Sequence, residues 1–156
     1  MKTSRKLTLS LATRADTAPI AAMSRALIET GLPWSWTPAR VAHNLHQADT
    51  LVLTARDRAL AGFAIMQFGE ERAHLSLLAV RTDCQRQGVA RRMLQWLTES
   101  ALTAGISSIQ LELREANQAA RQFYLAQGYK ETVRIPGYYR GIETAVRMLR
   151  DIRINA

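Results

Sequence analysis

Apolar and polar positions change period several times along the 156 residues, and each change marks an element. KLTLSLAT, Lys6 to Thr13, alternates like an edge strand. DTAPIAAMSRALIETG then offers Asp16 or Thr17 as a helix cap, an early proline, apolar residues at helix spacing and Gly31 to close the run. TPARVAHNLHQ predicts a second helix with Thr37 as cap and Pro38 at its first position. LPWSW, Leu32 to Trp36, reads as an exposed link between the two. TLVLTAR, ALAGFAIMQFG and RAHLSLLAVR are β-rich runs joined by short polar links, the pattern of an antiparallel meander. The third is apolar on both faces towards its end and is expected to be central.

From Gly88 the period becomes helical: Val89, Met93, Leu94 and Leu97 share one face until Gly105. SIQLELRE is a strand with Ile109, Leu111 and Leu113 inward and Gln110, Glu112 and Arg114 on the other face. NQAARQFYLAQGY is a short helix capped by Asn117 and ended by Gly128, and two strands near Tyr129–Arg134 and Thr144–Asp151 complete the chain. The order is β-α-α-β-β-β-α-β-α-β-β, an α/β fold. No repeat, low-complexity tract or linker divides residues 1–156, so one domain is expected.

Composition changes this picture in two ways. The formal charge of +8 favours an anionic partner, whether nucleic acid, an acidic surface or a phosphorylated cofactor. Cys84 is the only cysteine, which excludes an intramolecular disulfide and a CxxC metal site and fits a reducing compartment. No apolar run reaches the eighteen or so residues that span a bilayer, and MKTSRKLTLSLATRAD lacks an apolar core of signal-peptide length. A soluble cytoplasmic protein is therefore expected.

QRQGVARR, Gln85 to Arg92, follows an apolar strand and opens a helix. Such a turn points successive backbone N–H groups outward, where no helical carbonyl can satisfy them, and binds phosphate oxygens. Gly88 and Ala90 leave room for an anion, and Arg86 and Arg91 add charge. Neither GxxxxGK[ST] nor GxGxxG with a distal acidic residue is present. Read from these residues alone, the turn is equally a basic helix start without a ligand.

AVRTDCQRQGVARRML resembles the acyl-CoA-binding motif of the GNAT superfamily of N-acetyltransferases: Gln or Arg, two residues, Gly, one residue, then Gly or Ala. Gln85, Gly88 and Ala90 fill it. LELREANQAARQFYLAQGYKETVRIPGYY resembles the family's last conserved block. Within the family, the chain is similar to bacterial enzymes that acetylate the N-terminal alanine of a small-subunit ribosomal protein. Leu111–Arg114, Asn117, Tyr124, Tyr138-Tyr139 and LPWSW carry that similarity. Departures are Ala90 for the commoner Gly, Phe123 for Leu, RTDC without the usual Pro, and a less basic turn at IPGYYR.

The resemblance implies a mixed, mostly antiparallel twisted sheet of about seven strands flanked by about four helices. It implies that the backbone of Arg86, Gln87, Gly88, Val89, Ala90 and Arg91 takes the pyrophosphate of acetyl-CoA, and that Leu78, Ala79 and Val80 pair with the pantetheine arm. Asn117 and Tyr124 are about two helical turns apart and share a face; Asn117 is assigned to the cofactor, Tyr124 as general acid and Glu112 as general base. A tyrosine of pKa about 10 protonates a thiolate of about 8.5 uphill by about 2 kcal/mol, so Tyr124 can serve as a hydrogen-bond donor without giving up its proton. Trp34, Trp36, Tyr138 and Tyr139 are candidates to line the acceptor site or to be ordinary packing. No metal site is expected, and His43, His46 and His74 read as structural or solvated.

The expected activity is acetyl transfer from acetyl-CoA to a primary amine, first of all a protein N-terminal α-amine such as that of a ribosomal protein. Freeing an α-amine at pH 7 costs about 1.4 kcal/mol against about 4.6 for a lysine. A small amine (antibiotic, polyamine or amino acid) is the enzymatic alternative. A non-catalytic acyl-CoA-binding regulatory module is a third reading, disfavoured by the presence of both Glu112 and Tyr124. No membrane or direct nucleic-acid partner is expected, and the protein is read as a monomer or homodimer.

Overall fold

The computed structural model describes residues 6–153. The first five residues, part of the stretch read above for a leader, lie outside the described residues, as do the last three. Among the described residues, seven strands form a mixed, mostly antiparallel sheet in the order β1-β2-β3-β4-β5-β7-β6, flanked by four α-helices. The run expected to be central, β4, is fourth of the seven. Two compact units divide the residues: Met1–Gln67 with Leu77–Leu97, and Phe68–Ser76 with Thr98–Ala156.

The first unit holds β1 (Thr8–Leu11), α1 (Thr17–Leu27), α2 (Pro38–Leu45), β2 (Thr50–Arg56) and β3 (Leu60–Phe68, all but its last residue). It also takes the last four residues of β4 (Arg72–Val80) and the first nine of α3 (Val89–Thr103). Strands β1, β2 and β3 pair antiparallel. Their apolar faces bury Val52, Phe63 and Ile65 against Ile20 of α1 and Val41 of α2. Thr37 caps α2 as expected, its side chain accepting the Arg40 N–H at 3.3 Å. Asp16 takes the N-cap position of α1, but its side chain makes no hydrogen bond into that helix. It accepts the Thr13 N–H at 2.7 Å and pairs with the Arg56 guanidinium, so it ties the turn before α1 to β2. Helix α1 ends at Leu27, short of Gly31. In β3, a Cβ on Gly62 would lie 2.8 Å from the Ala79 carbonyl oxygen and 3.0 Å from Met93 Cε, so only glycine permits the backbones to approach this closely.

The second unit holds the first five residues of β4, β5 (Ser108–Arg114), α4 (Gln118–Ala126), β6 (Lys130–Tyr139) and β7 (Glu143–Asp151). Strands β4 and β5 pair in parallel through Arg72–Ser108, Ala73–Ile109 and His74–Gln110, while β7 pairs antiparallel with both β5 and β6. Ile109, Leu111 and Leu113 of β5 are buried, as the alternation predicts. Strand β6 continues past the expected Arg134 to Tyr139, because Pro136 and Gly137 make an irregularity within the strand and do not end it. No helix among the described residues is long and apolar enough to cross a membrane.

Candidate active site

In the first unit, the sequence from Gln85 to Arg91 folds into the expected turn. Arg86 and Gly88 both have left-handed backbone, with φ of 61° and 82°. Alternation of left- and right-handed residues makes a concave nest of N–H groups, and glycine is the residue that adopts this geometry at no steric cost. The first helical bond of α3 runs from the Arg92 N–H to the Gly88 carbonyl at 3.0 Å, so the N–H groups of Val89 to Arg91 belong to the unsatisfied first turn. No atom comes within 4 Å of the position a Gly88 Cβ would take, and Arg86 and Arg91 are exposed. An open nest flanked by two guanidinium groups fits a pyrophosphate.

The turn is braced from behind. The Gln85 amide donates to the Val80 carbonyl at 3.0 Å, and the Gln87 amide to the Asp83 carbonyl at 3.2 Å. Arg81, which the sequence did not single out, donates to the Leu60 carbonyl at 3.0 Å and pairs with Asp57 and Asp83 at 3.3 and 2.5 Å. Cys84 is buried, and its sulfur lies 3.2 Å from an Arg81 nitrogen. It is part of this brace. Along the end of β4, Ala79 and Val80 are buried and Leu78 is half-buried.

In the LPWSW link Pro33 and Ser35 are exposed, as read, but Trp36 is buried. Glu29, 6% exposed, accepts from Ser24 Oγ at 2.9 Å, from Ser35 N and Oγ at 2.7 and 2.8 Å, and from Trp36 N at 3.2 Å. Burial pushes the Glu29 carboxyl up, but the donors from Ser35, Ser24 and Trp36 outweigh it and hold the group below the usual carboxylate range. The clamp turns the Trp36 ring into the apolar core, under the Arg40 guanidinium at 3.8 Å. Trp36 thus packs in the core, the second of the two roles read for it. Trp34 is half-buried, donating from Nε1 to the Ala21 carbonyl at 3.3 Å beneath Arg25.

In the second unit, Glu112 stands on the polar face of β5 with its side chain only 8% exposed. Arg147, its direct partner in the β5–β7 register, places Nε 3.3 Å from Oε2. His74 Nε2 lies 2.9 Å from Oε1, and the Tyr138 hydroxyl donates to Oε1 at 3.2 Å. Burial pushes the Glu112 carboxyl up; the hydrogen bonds from His74 and Arg147 and the Arg147 charge prevail and hold it below its ordinary value. Arg114, two residues on along β5, pairs with Glu143 at 3.4 Å. His74, read above as structural or solvated, is a member of this cluster, and Arg147 was not singled out at all.

Asn117 caps α4, accepting the Ala120 N–H at 3.1 Å. Tyr124 is buried two turns on, edge-to-face with Phe123 and Tyr129 at 5.1 and 5.4 Å between centroids. Burial raises its phenol well above the usual tyrosine value, so it stays protonated. Tyr138 is half-exposed and stacks edge-on with Tyr139 at 4.9 Å; burial pushes the Tyr139 phenol up to about 12. Among the described residues, no group of three or more His, Cys, Asp and Glu side chains could hold a metal ion.

Residues 22–149 match the acetyltransferase (GNAT) domain family, and the chain belongs to it. It is an acetyl-CoA-dependent acetyltransferase acting on an amine, closely related to the bacterial ribosomal-protein-alanine enzymes. The ribosomal protein bS18-alanine N-acetyltransferase of Salmonella typhimurium LT2 is 34% identical across 81% of this chain and 95% of the relative. Its Escherichia coli K12 counterpart is 31% identical across 75% and 81%. The crystal structure of the Escherichia coli ribosomal-protein-S18-alanine N-acetyltransferase superposes with a TM-score of 0.81 at 28% identity, covering 94% of each chain. Ard1 of Thermoplasma volcanium shares the fold, with a TM-score of 0.82 at 21% identity over 93% of this chain and 97% of its own.

Proposed function

We propose that this enzyme acetylates the N-terminal α-amine of a protein, of the ribosomal-protein-alanine kind, in the cytoplasm. The state of Glu112 carries the reading. Its carboxyl is held low by His74 and Arg147, so Glu112 is a weak base. It suits an amine that needs little help to lose its proton: about 1.4 kcal/mol at pH 7 for an α-amine against about 4.6 for a lysine. The bS18-alanine relatives, matched over most of their length, support the same acceptor class.

In this reading the Arg86–Arg91 turn holds the cofactor phosphates, the edge at Leu78, Ala79 and Val80 takes the pantetheine arm, and Asn117 contributes from its cap. Acetyl-CoA supplies a thioester already activated toward amines. The Glu112 cluster takes up the amine proton, with Tyr138 and Tyr139 beside it to line the acceptor. The Tyr124 phenol, raised by burial, donates a hydrogen bond to the departing sulfur; full proton transfer from it is steeper than the roughly 2 kcal/mol of an ordinary tyrosine. Trp34 stays a candidate for acceptor contact within its own unit.

Thiol release from acetyl-CoA, measured against Ala-starting peptides, N-formylated controls, lysine, polyamines and aminoglycosides, tests the reading. Turnover is expected with unblocked Ala-starting peptides and not with their blocked forms. Turnover confined to lysine, polyamines or aminoglycosides overturns it.

A further inference from the structure

Glu112 carries more donors than a carboxylate base needs. A carboxylate has about four lone-pair sites, and His74, Tyr138 and Arg147 address three of them. A group so held stays ionised. Among its neighbours, Arg147 has no lone pair to offer, and the Tyr138 hydroxyl is committed as a donor, its phenol raised by burial and by the Glu112 charge. His74 alone has a nitrogen on each side of the ring. Nε2 meets Glu112 Oε1 at 2.9 Å and Nδ1 meets Ser76 Oγ at 3.3 Å. Because Oε1 is ionised, the hydrogen in the shorter contact belongs to Nε2, which leaves the Nδ1 lone pair facing the serine hydroxyl.

We propose that His74 holds the proton removed from the acceptor amine, with Glu112 orienting its ring and balancing the charge that forms on it. This rests on the acetyltransferase reading above and names the atom, His74 Nδ1, at which the proton arrives. The amine N–H bond breaks as the nitrogen displaces sulfur from the acetyl carbon, the sulfur keeping the bonding pair. The proton passes to Ser76 Oγ while the Ser76 hydroxyl gives its own to Nδ1. The ring then carries both protons and one positive charge against an ionised carboxylate, the division of labour of a histidine and its orienting acid in hydrolase triads. The His74 side chain is 38% exposed where Glu112 is 8%, so the proton leaves to water from the imidazole.

The groups facing the pair from each strand are fixed. Ser76 lies on β4 with His74, Tyr138 on β6 and Arg147 on β7. Arg72, two residues before His74, is engaged by Ser108 and Gln110 of β5 at 3.3 and 2.9 Å and does not point its charge at the ring.

The test measures kcat and KM across neutral pH with acetyl-CoA and an Ala-starting peptide for the wild type, His74→Ala, His74→Gln and Glu112→Gln. We expect His74→Ala to lower kcat by roughly 100-fold or more with KM for acetyl-CoA unchanged, and imidazole in the buffer to restore part of the rate. His74→Gln retains a donor to Glu112 and guards against misfolding; it is expected to be as slow. A wild-type rate and pH profile for His74→Gln overturn the proposal. If Glu112→Gln is then inactive, the carboxylate is itself the base; if it too turns over normally, neither residue takes the proton and the acetyltransferase reading still stands, whereas a wild type that releases no thiol with any amine overturns that reading instead.

Discussion

Arg147 Nε lies 3.3 Å from Glu112 Oε2, between residues directly opposite each other in the antiparallel β5–β7 register. With His74 on the other carboxylate oxygen, the pair helps to hold Glu112 ionised, and the backbone register brings the two side chains together. Cross-strand partners need no loop to bring them together.

Arg147→Met is expected to let the Glu112 carboxyl rise toward its ordinary value. The native group binds its proton more weakly than the unfolded one. Its stabilising effect is therefore fully present above the unfolded carboxyl range, about 4.3, and is lost as pH falls through the native value. Melting temperature against pH should show a smaller acid loss in the variant than in the wild type. The neutral-pH cost should be about 1–2 kcal/mol, below that of a fully buried pair because Arg147 keeps 34% of its side chain exposed.

Glu29→Ala removes the acceptor of four donors and leaves the Ser35 and Trp36 N–H groups and two serine hydroxyls without it. A loss of about 2–3 kcal/mol is expected by urea unfolding. Faster amide exchange at Ser35 and Trp36 should accompany it, since those N–H groups then open to water. Unchanged exchange there refutes the clamp.

Gly62→Val places side-chain atoms against the Ala79 carbonyl and Met93. About 1–3 kcal/mol of destabilisation is expected, read as a melting temperature several degrees lower. The 2.8 Å clash is with backbone, so Gly62→Ala should show part of the same loss.

Tyr124→Phe keeps both edge-to-face ring contacts, with Phe123 and Tyr129, and removes only the hydroxyl. Its melting temperature should match the wild type while kcat falls roughly 10–100-fold. Equal kcat removes Tyr124 from the proposed chemistry.

Much of the fold is legible because its causes are local. Period-two alternation puts Ile109, Leu111 and Leu113 inside and Glu112 on the opposite face whatever β5 packs against. Gly88 at a strand-to-helix turn calls for left-handed backbone, and the nest follows from that geometry. Thr37 and Asn117 cap their helices because the acceptor and donor are three residues apart.

The partners of Glu112 were decided elsewhere. His74 is 38 residues away and Arg147 is 35, and no pattern along the chain links them; the parallel β4–β5 and antiparallel β5–β7 registers do. Tyr138 joins them through a strand that runs on past Pro136 and Gly137, residues that read locally as a break. Trp36 is buried because Glu29 gathers the link's N–H groups, a hydrogen-bond closure that alternation of apolar residues does not encode. By itself the sequence determined most of the elements, the glycine turn before α3 and the family, since these depend on near neighbours. Only the tertiary structure decided which groups set the charge of Glu112, because a pKa depends on what register and burial bring within hydrogen-bond reach.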